Sequence, residues 1–571
     1  MSCTDTIELQ DVSPKRIAKI SVQPLHHQHG EASNGEGSNQ DLQDGQDQIG
    51  TNNPEQETVV YPSGAKLILT IIALALTIFL VALDSSIIAQ AIPSITKQFG
   101  SVASITWYGT AYTLPNTSFG LVWGKAYKCF PLKRTYLLAI VIFEIGNIVT
   151  ASADSSVVVV LGRIISGLGG AGLMNGSFII MALTARPERR AMMMGITGVT
   201  FGCSSVVGPL LGGVLVDALN WRWCFWINLP FGAVAAGIIV VFFSQPDYVT
   251  TEQGTLKEKL TRLDINGGLL VVGSLTCFVF AMNLVGAATW NGAKIAGALI
   301  GSCVLAALFI GNEKLMGSKA MLQMHVLRNR NIMRNCAFAF FLAGAFFPLI
   351  YILPIQFQSI GQQSAAESGI RLIPLLLGVS IFTLISNGLV TYWKIYNAIF
   401  AFGAVFATAG AFLMYTYGLK STTAAWIGSE VLASIGIGAA LQLPVTANNA
   451  AVGIDDVPAA TALALFFENV GTTLFVAATD GAFTKGLVHG VKTRLPTTNP
   501  ETIINAGVTQ LRSTFPPDEL PAILAAYVEG CRDSHLIPVA CAALAGLITI
   551  VSAAPVASTK IRNWMSKPHA R

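Results

Sequence analysis

Charged residues are scarce in this chain. Asp, Glu, Lys and Arg make up 12% of its 571 residues, whereas hydrophobic residues make up 52%. Soluble globular domains carry about 25% charged residues, so the composition excludes an ordinary soluble protein. The sequence also lacks a Gly-rich phosphate-binding motif ending in Lys-Ser or Lys-Thr, which argues against ATP as an energy source.

Histidine and cysteine are few where cofactor chemistry would need them. The seven His residues all fall outside the apolar runs, which argues against an intramembrane haem or di-iron centre. Seven of the nine Cys lie in or beside apolar runs, and neither Cys3 nor Cys531 has an obvious partner. We therefore predict a protein that is not an enzyme, does not depend on disulfides and binds no metal or cofactor.

The first 62 residues form a separate compositional region. They contain no apolar run, and so they lack the hydrophobic core that a signal peptide has. They are rich in Gln, Asn, Ser, Gly, Asp and Glu. Such a segment cannot bury enough apolar surface to fold by itself. We predict that residues 1–62 are a disordered cytosolic tail.

Apolar runs long enough to cross a bilayer recur from Lys66 onward. They are continuously apolar rather than alternating, which favours helices over the strands of a barrel. We predict an all-α polytopic membrane protein with fourteen spans; twelve is the alternative, because the seventh and eighth runs are rich in Gly and Ala. The spans lie near 66–88, 105–124, 135–153, 157–181, 191–215, 224–243, 265–285, 294–312, 336–356, 370–391, 396–417, 426–447, 459–480 and 536–557.

The distribution of Lys and Arg sets the orientation. Clusters of positive charge follow spans 2, 4, 6, 8 and 14, whereas the short segments after odd-numbered spans carry almost none. The positive-inside rule then places both termini in the cytosol. The long segment 481–535 lies on the opposite side.

Ionisable residues inside spans are costly and therefore mark candidate functional sites. Asp84 lies in span 1 and Arg163 in span 4, both in the outer half of the bilayer. An acid and a base at matching depth can pair, or exchange partners when a proton arrives. The alternatives are that Arg163 only extends outward to the interface, and that Asp84 is only a polar helix terminus.

Two glycine patterns accompany these residues. Gly167 and Gly170 share a helix face with Arg163, where they make room for a neighbouring helix or for a substrate. Span 5 carries two pairs of glycines four residues apart, around a proline, which predict either plain helix packing or a deformable helix between two bundles. These residues are Gly198, Gly202, Gly208, Pro209, Gly212 and Gly213.

Polar residues in the C-terminal half are candidates for lining a substrate cavity. They are Gln356, Gln442, Glu468 and Asn469. For Glu468, two interpretations stay open: direct contact with a polar substrate or proton, and hydrogen bonding between helices. Neither Glu144 in span 3 nor Asp480 near the end of span 13 receives a role from sequence.

Several segments together carry a family resemblance. LDSSIIAQAIPSI at 83–95, GRIISGLGGAG at 162–172, GPLLGG at 208–213 and WRWCFWINLP at 221–230 are the main ones. With them the chain resembles the fourteen-span drug:proton antiporter branch of the major facilitator superfamily, close to fungal multidrug and mycotoxin exporters. The resemblance implies two six-helix bundles plus two extra spans, alternating access, proton coupling by Arg163 and an antiporter motif in span 5.

One segment departs from the family pattern. The loop between spans 2 and 3 has Lys128 where the family has an acid and Pro131 where it has a glycine. The family's charge clamp at this loop therefore cannot be carried over, although Lys133 and Arg134 keep the loop positive.

The predicted domains follow from these assignments. They are the tail 1–62, an N-terminal bundle 63–245, a linker with spans 7 and 8 at 246–335, a C-terminal bundle 336–560 that includes the outer loop 481–535, and a cytosolic tail 561–571. The function that follows is proton-coupled efflux of small hydrophobic compounds such as a secondary metabolite, mycotoxin or drug. The alternative is a proton-coupled importer of a small molecule such as a siderophore.

The expected partners are a small-molecule substrate, protons and the lipid bilayer, with no nucleic acid. We expect a monomer in the plasma membrane, with a vacuolar or vesicular membrane as the alternative location.

Overall fold

The computed structural model describes residues 64–99, 105–249, 251–286, 292–361, 363–418, 422–506 and 511–565. The predicted disordered tail 1–62 lies outside these residues, as does the end of the chain from 566. Within the described ranges the regular secondary structure is entirely helical.

Long helices succeed one another along the chain. They are α1 (Ala65–Phe99), α2 (Ile105–Cys129), α3 (Leu132–Ala151), α4 (Ser156–Thr184), α5 (Arg190–Ala218), α6 (Trp223–Phe242), α7 (Ile265–Gly286), α8 (Gly292–Met316), α9 (Arg330–Ser359), α10 (Ile373–Trp393), α11 (Tyr396–Tyr415), α12 (Thr423–Ala440), α13 (Val457–Arg494) and α14 (Leu520–Met565). Thirteen of the described helical segments are long and apolar enough to cross a membrane. The helix below that threshold is α2, which spans 25 residues but is more polar.

Short elements connect these helices. The short helices are Leu256–Thr261, Met324–Leu327, Ala365–Arg371, Leu443–Ala450, Pro500–Ala506 and Leu511–Thr514, and the 3₁₀ turns are Pro187–Arg189, Gly317–Lys319 and Ile454–Asp456. Helix α6 is interrupted for one residue at Ile227. Capping boxes start two of the short helices, at Thr255 with Glu258 and at Ser364 with Glu367.

The segment 481–535, expected to be a loop, is largely helical. Helix α13 continues to Arg494, and α14 begins at Leu520. The two extensions pack closely, since a Cβ on Gly490 would lie 2.9 Å from the Ala526 Cα. His535, at the end of this extension, is buried in α14.

The long helices form two halves with an insert beside them. Helices α1–α6 pack among themselves, as do α9–α14. The halves meet where α5 packs on α10 and α2 packs on α13. The insert helix α7 contacts both α2 and α13, and α8 packs mainly on α7. We call the face where α1 begins the inner face; the positive-inside prediction makes it cytosolic.

Candidate functional site

A buried ion pair lies inside the N-terminal half. Arg163 Nη1 donates to Asp84 Oδ2 at 2.6 Å, and both side chains are at most 1% exposed. Arg163 Nε also donates to the Tyr108 carbonyl oxygen at 3.2 Å. Asp84 and Arg163 therefore form the ion pair that their matching depth allowed. Arg163 does not extend outward to the membrane–water interface.

Aromatic rings complete the surroundings of this pair. The Arg163 guanidinium carbon lies 4.3 Å from the centre of the Tyr112 ring and 5.7 Å from that of Phe225. The cation is thus held by a carboxylate, a carbonyl and ring faces. Asp84 Oδ1 is buried and has no hydrogen-bond partner, so it is the open position of the pair.

The two glycines of α4 pack against α2. A Cβ on Gly167 would lie 2.2 Å from the Tyr112 carbonyl oxygen, and one on Gly170 would lie 2.8 Å from the Tyr112 hydroxyl. The structure therefore favours room for a neighbouring helix over room for a substrate at both positions. Their absence of side chains brings Tyr112 close to Arg163.

The glycine pairs of α5 face two different helices. A Cβ on Gly198 or Gly202 would contact Thr383 or Ser380 of α10, at 2.6 Å and 1.7 Å. A Cβ on Gly208 would lie 1.9 Å from Ser86 Oγ in α1. One pair therefore lies at the contact between the halves, and the other inside the N-terminal half.

The remaining positions of this motif differ in their surroundings. Gly212 contacts α1 at Ile87, whereas a Cβ on Gly213 would meet no atom within 4 Å. Gly213 therefore has no packing role in this conformation, contrary to its expected one. Pro209 lies within the continuous helix α5, directly after Gly208 and inside the second pair.

Charged contacts join the halves at the inner face. Lys128 Nζ at the end of α2 lies 3.0 Å from Asp456 Oδ1 in the turn before α13. His325 Nε2 lies 3.1 Å from the same Asp456 oxygen. The residue that breaks the family pattern thus forms a cross-half ion pair of its own, with Asp456 at the N-terminus of a helix where negative charge is favourable.

The linker after α8 takes part in this closure. Lys125 Nζ is buried and donates to the backbone carbonyls of Lys319 and, at 2.6 Å, of Ala320. Lys128 also donates to Gln323 Oε1 at 3.3 Å. We call Lys125, Lys128, Gln323, His325 and Asp456 the inner latch. Sequence reasoning noted the positive charge of this loop but had no signal for its partners, which lie far along the chain.

The polar candidates for a substrate cavity do not form one cluster. Gln356 lies near the outer end of α9, whereas Gln442 follows the inner end of α12; both are buried. Glu468 and Asn469 are half-buried in the middle part of α13. Nearby, the hydroxyl oxygens of Thr473 in α13 and Thr117 in α2 are 3.2 Å apart.

Sequence reasoning gave no role to three buried acids, Asp264, Glu313 and Glu430. Glu430 in α12 is 0% exposed, and neither carboxylate oxygen has a hydrogen-bond partner. The signal was available, because an acidic residue inside an apolar run is a candidate functional site by the same rule that marked Asp84.

Comparisons with known proteins agree with this architecture. The family model of the Major Facilitator Superfamily matches residues 74–476. The MFS-type transporter astH of Aspergillus oryzae is 35% identical over 541 residues, which cover 95% of this chain and 94% of that protein. The Aspyridones efflux protein of Neocamarosporium betae is 38% identical over 478 residues, 83% and 85% of the two chains.

Solved structures show the same fold at low identity. The proton:xylose symporter XylE superposes with a TM-score of 0.54 at 13% identity, covering 84% of this chain and 94% of its own. The human organic anion transporter MFSD10 gives 0.52 at 12% identity, covering 84% and 100%. This chain belongs to the Major Facilitator Superfamily. It is a multi-pass membrane transporter, so the predictions of fold class and of a non-enzymatic function are confirmed.

Proposed function

We propose that this transporter is a proton-coupled antiporter that exports small hydrophobic compounds by alternating access. The observation that carries the proposal is the buried Asp84–Arg163 pair, in which Asp84 Oδ1 has no hydrogen-bond partner. The pair lies inside helices α1–α6, nearer their outer ends. Relatives at 36–38% identity support export, since their names include an efflux protein for aspyridones and efflux pumps.

The pair couples a proton to conformation through charge. A proton that binds Asp84 Oδ1 neutralises the carboxylate and leaves the Arg163 cation without its counter-charge. Leaving one member of a buried pair uncompensated costs about 3–5 kcal/mol, so the protonated protein favours a conformation in which Arg163 finds other partners. Such a differential interaction is what a ligand needs in order to shift a two-state equilibrium.

The conformation described here is the one closed at the inner face. The inner latch and the contacts of Gly195, Gly198 and Gly202 with α10 all lie at the inner ends or at mid-depth of the helices. Alternation to an inward-facing state requires these contacts to break. The Lys128–Asp456 pair is partly exposed, at 21% and 29%, and a pair of this kind is worth only about 0.2–1 kcal/mol, so it is reversible.

The proposed substrate is an apolar secondary metabolite, mycotoxin or drug. Phe347 of α9 meets Phe201 of α5 edge-on at 6.3 Å between ring centres, which places aromatic surface at the contact between the halves. An apolar aromatic surface suits a hydrophobic cargo. Glu468 and Asn469 are the polar groups that we assign to this path.

We place both termini in the cytosol and the monomeric protein in the plasma membrane. The positive-inside pattern supports the orientation. In this orientation the acidic side faces Asp84 and Arg163, so the proton gradient drives export.

Transport by inside-out vesicles tests the proposal. Vesicles with an acidic lumen and this protein are expected to accumulate aspyridones or the hydrophobic dye Nile red, and to lose that accumulation when the gradient is collapsed. Arg163→Ala and Asp84→Asn, at equal expression, are expected to abolish the dependence on the gradient. Accumulation that ignores the gradient would refute proton coupling, and export of cargo from the lumen would indicate the importer instead.

A further inference from the structure

A cleft between three helices lies toward the inner face of the C-terminal half. Arg334 of α9, Asn397 of α11 and Thr549 of α14 line it. The rings of Phe338 and Phe400, which meet edge-on at 4.6 Å between their centres, line it as well. Arg334 and Asn397 are the fifth and second residues of helices that begin at the inner face. The polar end of the cleft therefore lies at the depth where phospholipid headgroups meet the protein.

Arg334 brings a positive charge to this cleft without a carboxylate to balance it. Its Nη2 donates to Asn397 Oδ1 at 3.4 Å, and the ion pairs among the described residues do not include it. The described residues that line the cleft include no acid. Arg330, one turn earlier on α9, and Lys394, two residues before α11, are exposed and add positive charge at the same end. The cleft is therefore suited to an anion.

The start of α11 adds to this preference. Its N-cap residue Ile395 makes no side-chain hydrogen bond, so the first N–H groups of this 20-residue helix are not capped by a side chain. Backbone N–H groups at a helix N-terminus bind phosphate well, because the helix dipole favours negative charge there. The exposed rings of Tyr392 and Trp393 come just before α11. Tyr and Trp are enriched at the headgroup level of membranes, which agrees with the depth of the cleft.

An apolar groove continues outward from the cleft, between α11 and α14. Its small and apolar lining residues come from both helices: Ala404, Val405, Ala409, Phe412, Val539 and Gly546. A Cβ on Gly546 would lie 3.6 Å from the Ala404 Cβ, so the two helices are close at the floor of the groove. Ala404 is one turn beyond Phe400 of the cleft, so the groove and the cleft adjoin. The groove has a volume of about 410 Å³, within the range of roughly 300–1,000 Å³ that is typical of small-molecule sites.

The length and the position of the groove suit a lipid chain. Phe400 and Phe412 are about 18 Å apart along α11 at 1.5 Å per residue, and the hydrocarbon part of one leaflet is about 15 Å thick. The main neighbours of α11 and α14 all belong to the C-terminal half, so the groove lies away from the contact between the halves. An Arg that only extended to the interface would need neither a cleft nor an adjoining groove.

We propose that the cleft and the groove bind one anionic phospholipid of the leaflet at the inner face. The lipid phosphate contacts Arg334 and Asn397 at the start of α11, and one acyl chain lies in the groove between α11 and α14. The phospholipid therefore connects the inner ends of α9, α11 and α14. This site is separate from the proposed path of the substrate and does not depend on proton coupling.

Native mass spectrometry of the purified full-length protein in detergent counts bound phospholipids and tests the headgroup site. The protein is titrated with dioleoyl phosphatidylserine and, separately, with dioleoyl phosphatidylcholine, which has the same chains but no net charge. We expect one phosphatidylserine to bind more tightly than phosphatidylcholine, and Arg334→Gln to weaken its binding about fivefold. Arg328→Gln removes an exposed Arg at the same face that does not line the cleft, and it should leave binding unchanged.

A variant of the groove tests the acyl chain independently of Arg334. Ala409→Phe fills the groove with a ring and is expected to weaken phosphatidylserine binding, whereas Ala293→Phe at an exposed position of α8 is the matched control and should be silent. Wild-type binding by the folded Arg334→Gln or Ala409→Phe protein would overturn the proposal. Equal affinity of the wild type for the two lipids would refute the phosphate site. Displacement of the lipid by inorganic phosphate, with Ala409→Phe silent, would indicate a site for free phosphate instead.

Discussion

A methyl group added at Gly124, near the inner end of α2, is expected to destabilise the inner-closed state. A Cβ at this position would lie 2.3 Å from the Ala462 Cβ in α13 and 3.4 Å from the Pro458 carbonyl oxygen. Both atoms belong to the other half, so Gly124→Ala introduces a clash only while the inner face is closed. The neighbouring atoms are a Cβ and a backbone oxygen, which cannot rotate away as the end of a long side chain would.

The size of the effect follows from that distance. Ordinary van der Waals contact begins at 3.4 Å, so the helices must separate by about 1 Å at this point. Overpacking of a well-packed contact costs about 1–3 kcal/mol. Because the cost falls on the inner-closed state alone, we expect the equilibrium to move toward the inner-open state by about 5- to 150-fold.

Double electron–electron resonance measures this shift directly. Spin labels at Arg134→Cys and Ala398→Cys report the inner face, and labels at Asp154→Cys and Thr416→Cys report the outer face; all four positions are exposed. The native cysteines are first replaced by Ser or Ala. Gly124→Ala is expected to lengthen the inner distance and shorten the outer one.

Gly109 on the same helix is the matched control. A Cβ there would meet no atom within 4 Å, so Gly109→Ala adds the same methyl group and the same helix propensity without a clash. It is expected to leave both distances as in the wild type. If the folded Gly124→Ala protein also shows wild-type distances, the α2–α13 contact does not hold the inner face closed and the mechanism built on it is wrong.

Further predictions concern the latch, the ion pair and α5. Lys128→Ala should shift the equilibrium toward the inner-open state by less than about 1 kcal/mol in the same distance measurement, because the Lys128–Asp456 pair is partly exposed. The charge exchange Lys128→Asp with Asp456→Lys should restore the wild-type distances. Arg163→Ala should lower the free energy of unfolding by about 3–5 kcal/mol, measured from thermal melts in detergent, and adding Asp84→Asn should restore part of it, since no buried charge is then left unpaired. Wild-type melts of Arg163→Ala would contradict that assignment. Gly202→Ala should reduce transport and Ser380→Ala should rescue it, whereas Gly213→Ala should be silent; equal effects of the two glycine variants would refute the packing argument.

Topology and depth indicated that an ion pair was possible, beside the alternatives of an interfacial Arg163 and a polar helix terminus at Asp84. Asp84 and Arg163 are 79 residues apart in the sequence, yet counting spans placed both in the outer half, where an unpaired charge would be costly. The same rule marks Glu144 and Glu430, but apolar context alone does not say which helix each one faces. Helical periodicity likewise found both glycine pairs of α5, because a pattern of small residues four apart is local.

The partners of the inner latch could not be predicted in this way. Lys128 and Asp456 are 328 residues apart, and their contact depends on how the two halves meet. Local patterns describe one helix face, whereas the meeting of the halves is decided by the packing of α2 on α13 and α5 on α10. The cavity candidates Gln356 and Gln442 lie near opposite ends of their helices, and which of them face a common space depends on the same packing.

Helix α5 connects the proton site with the contact between the halves. Gly208 packs on Ser86, which lies two residues beyond Asp84 on α1, and Ser204 Oγ donates to the Phe79 carbonyl oxygen of α1 at 2.8 Å. Ser204 and Gly208 lie two and six residues after Gly202 on the same helix, and Gly202 packs on Ser380 of α10 in the other half. In the proposed mechanism, a shift of α1 caused by a proton on Asp84 would therefore move the surface that α5 presents to α10. Gly202 and Gly208 bring the α5 backbone close to α10 and α1, so a movement of α1 would reach α10 through these direct contacts.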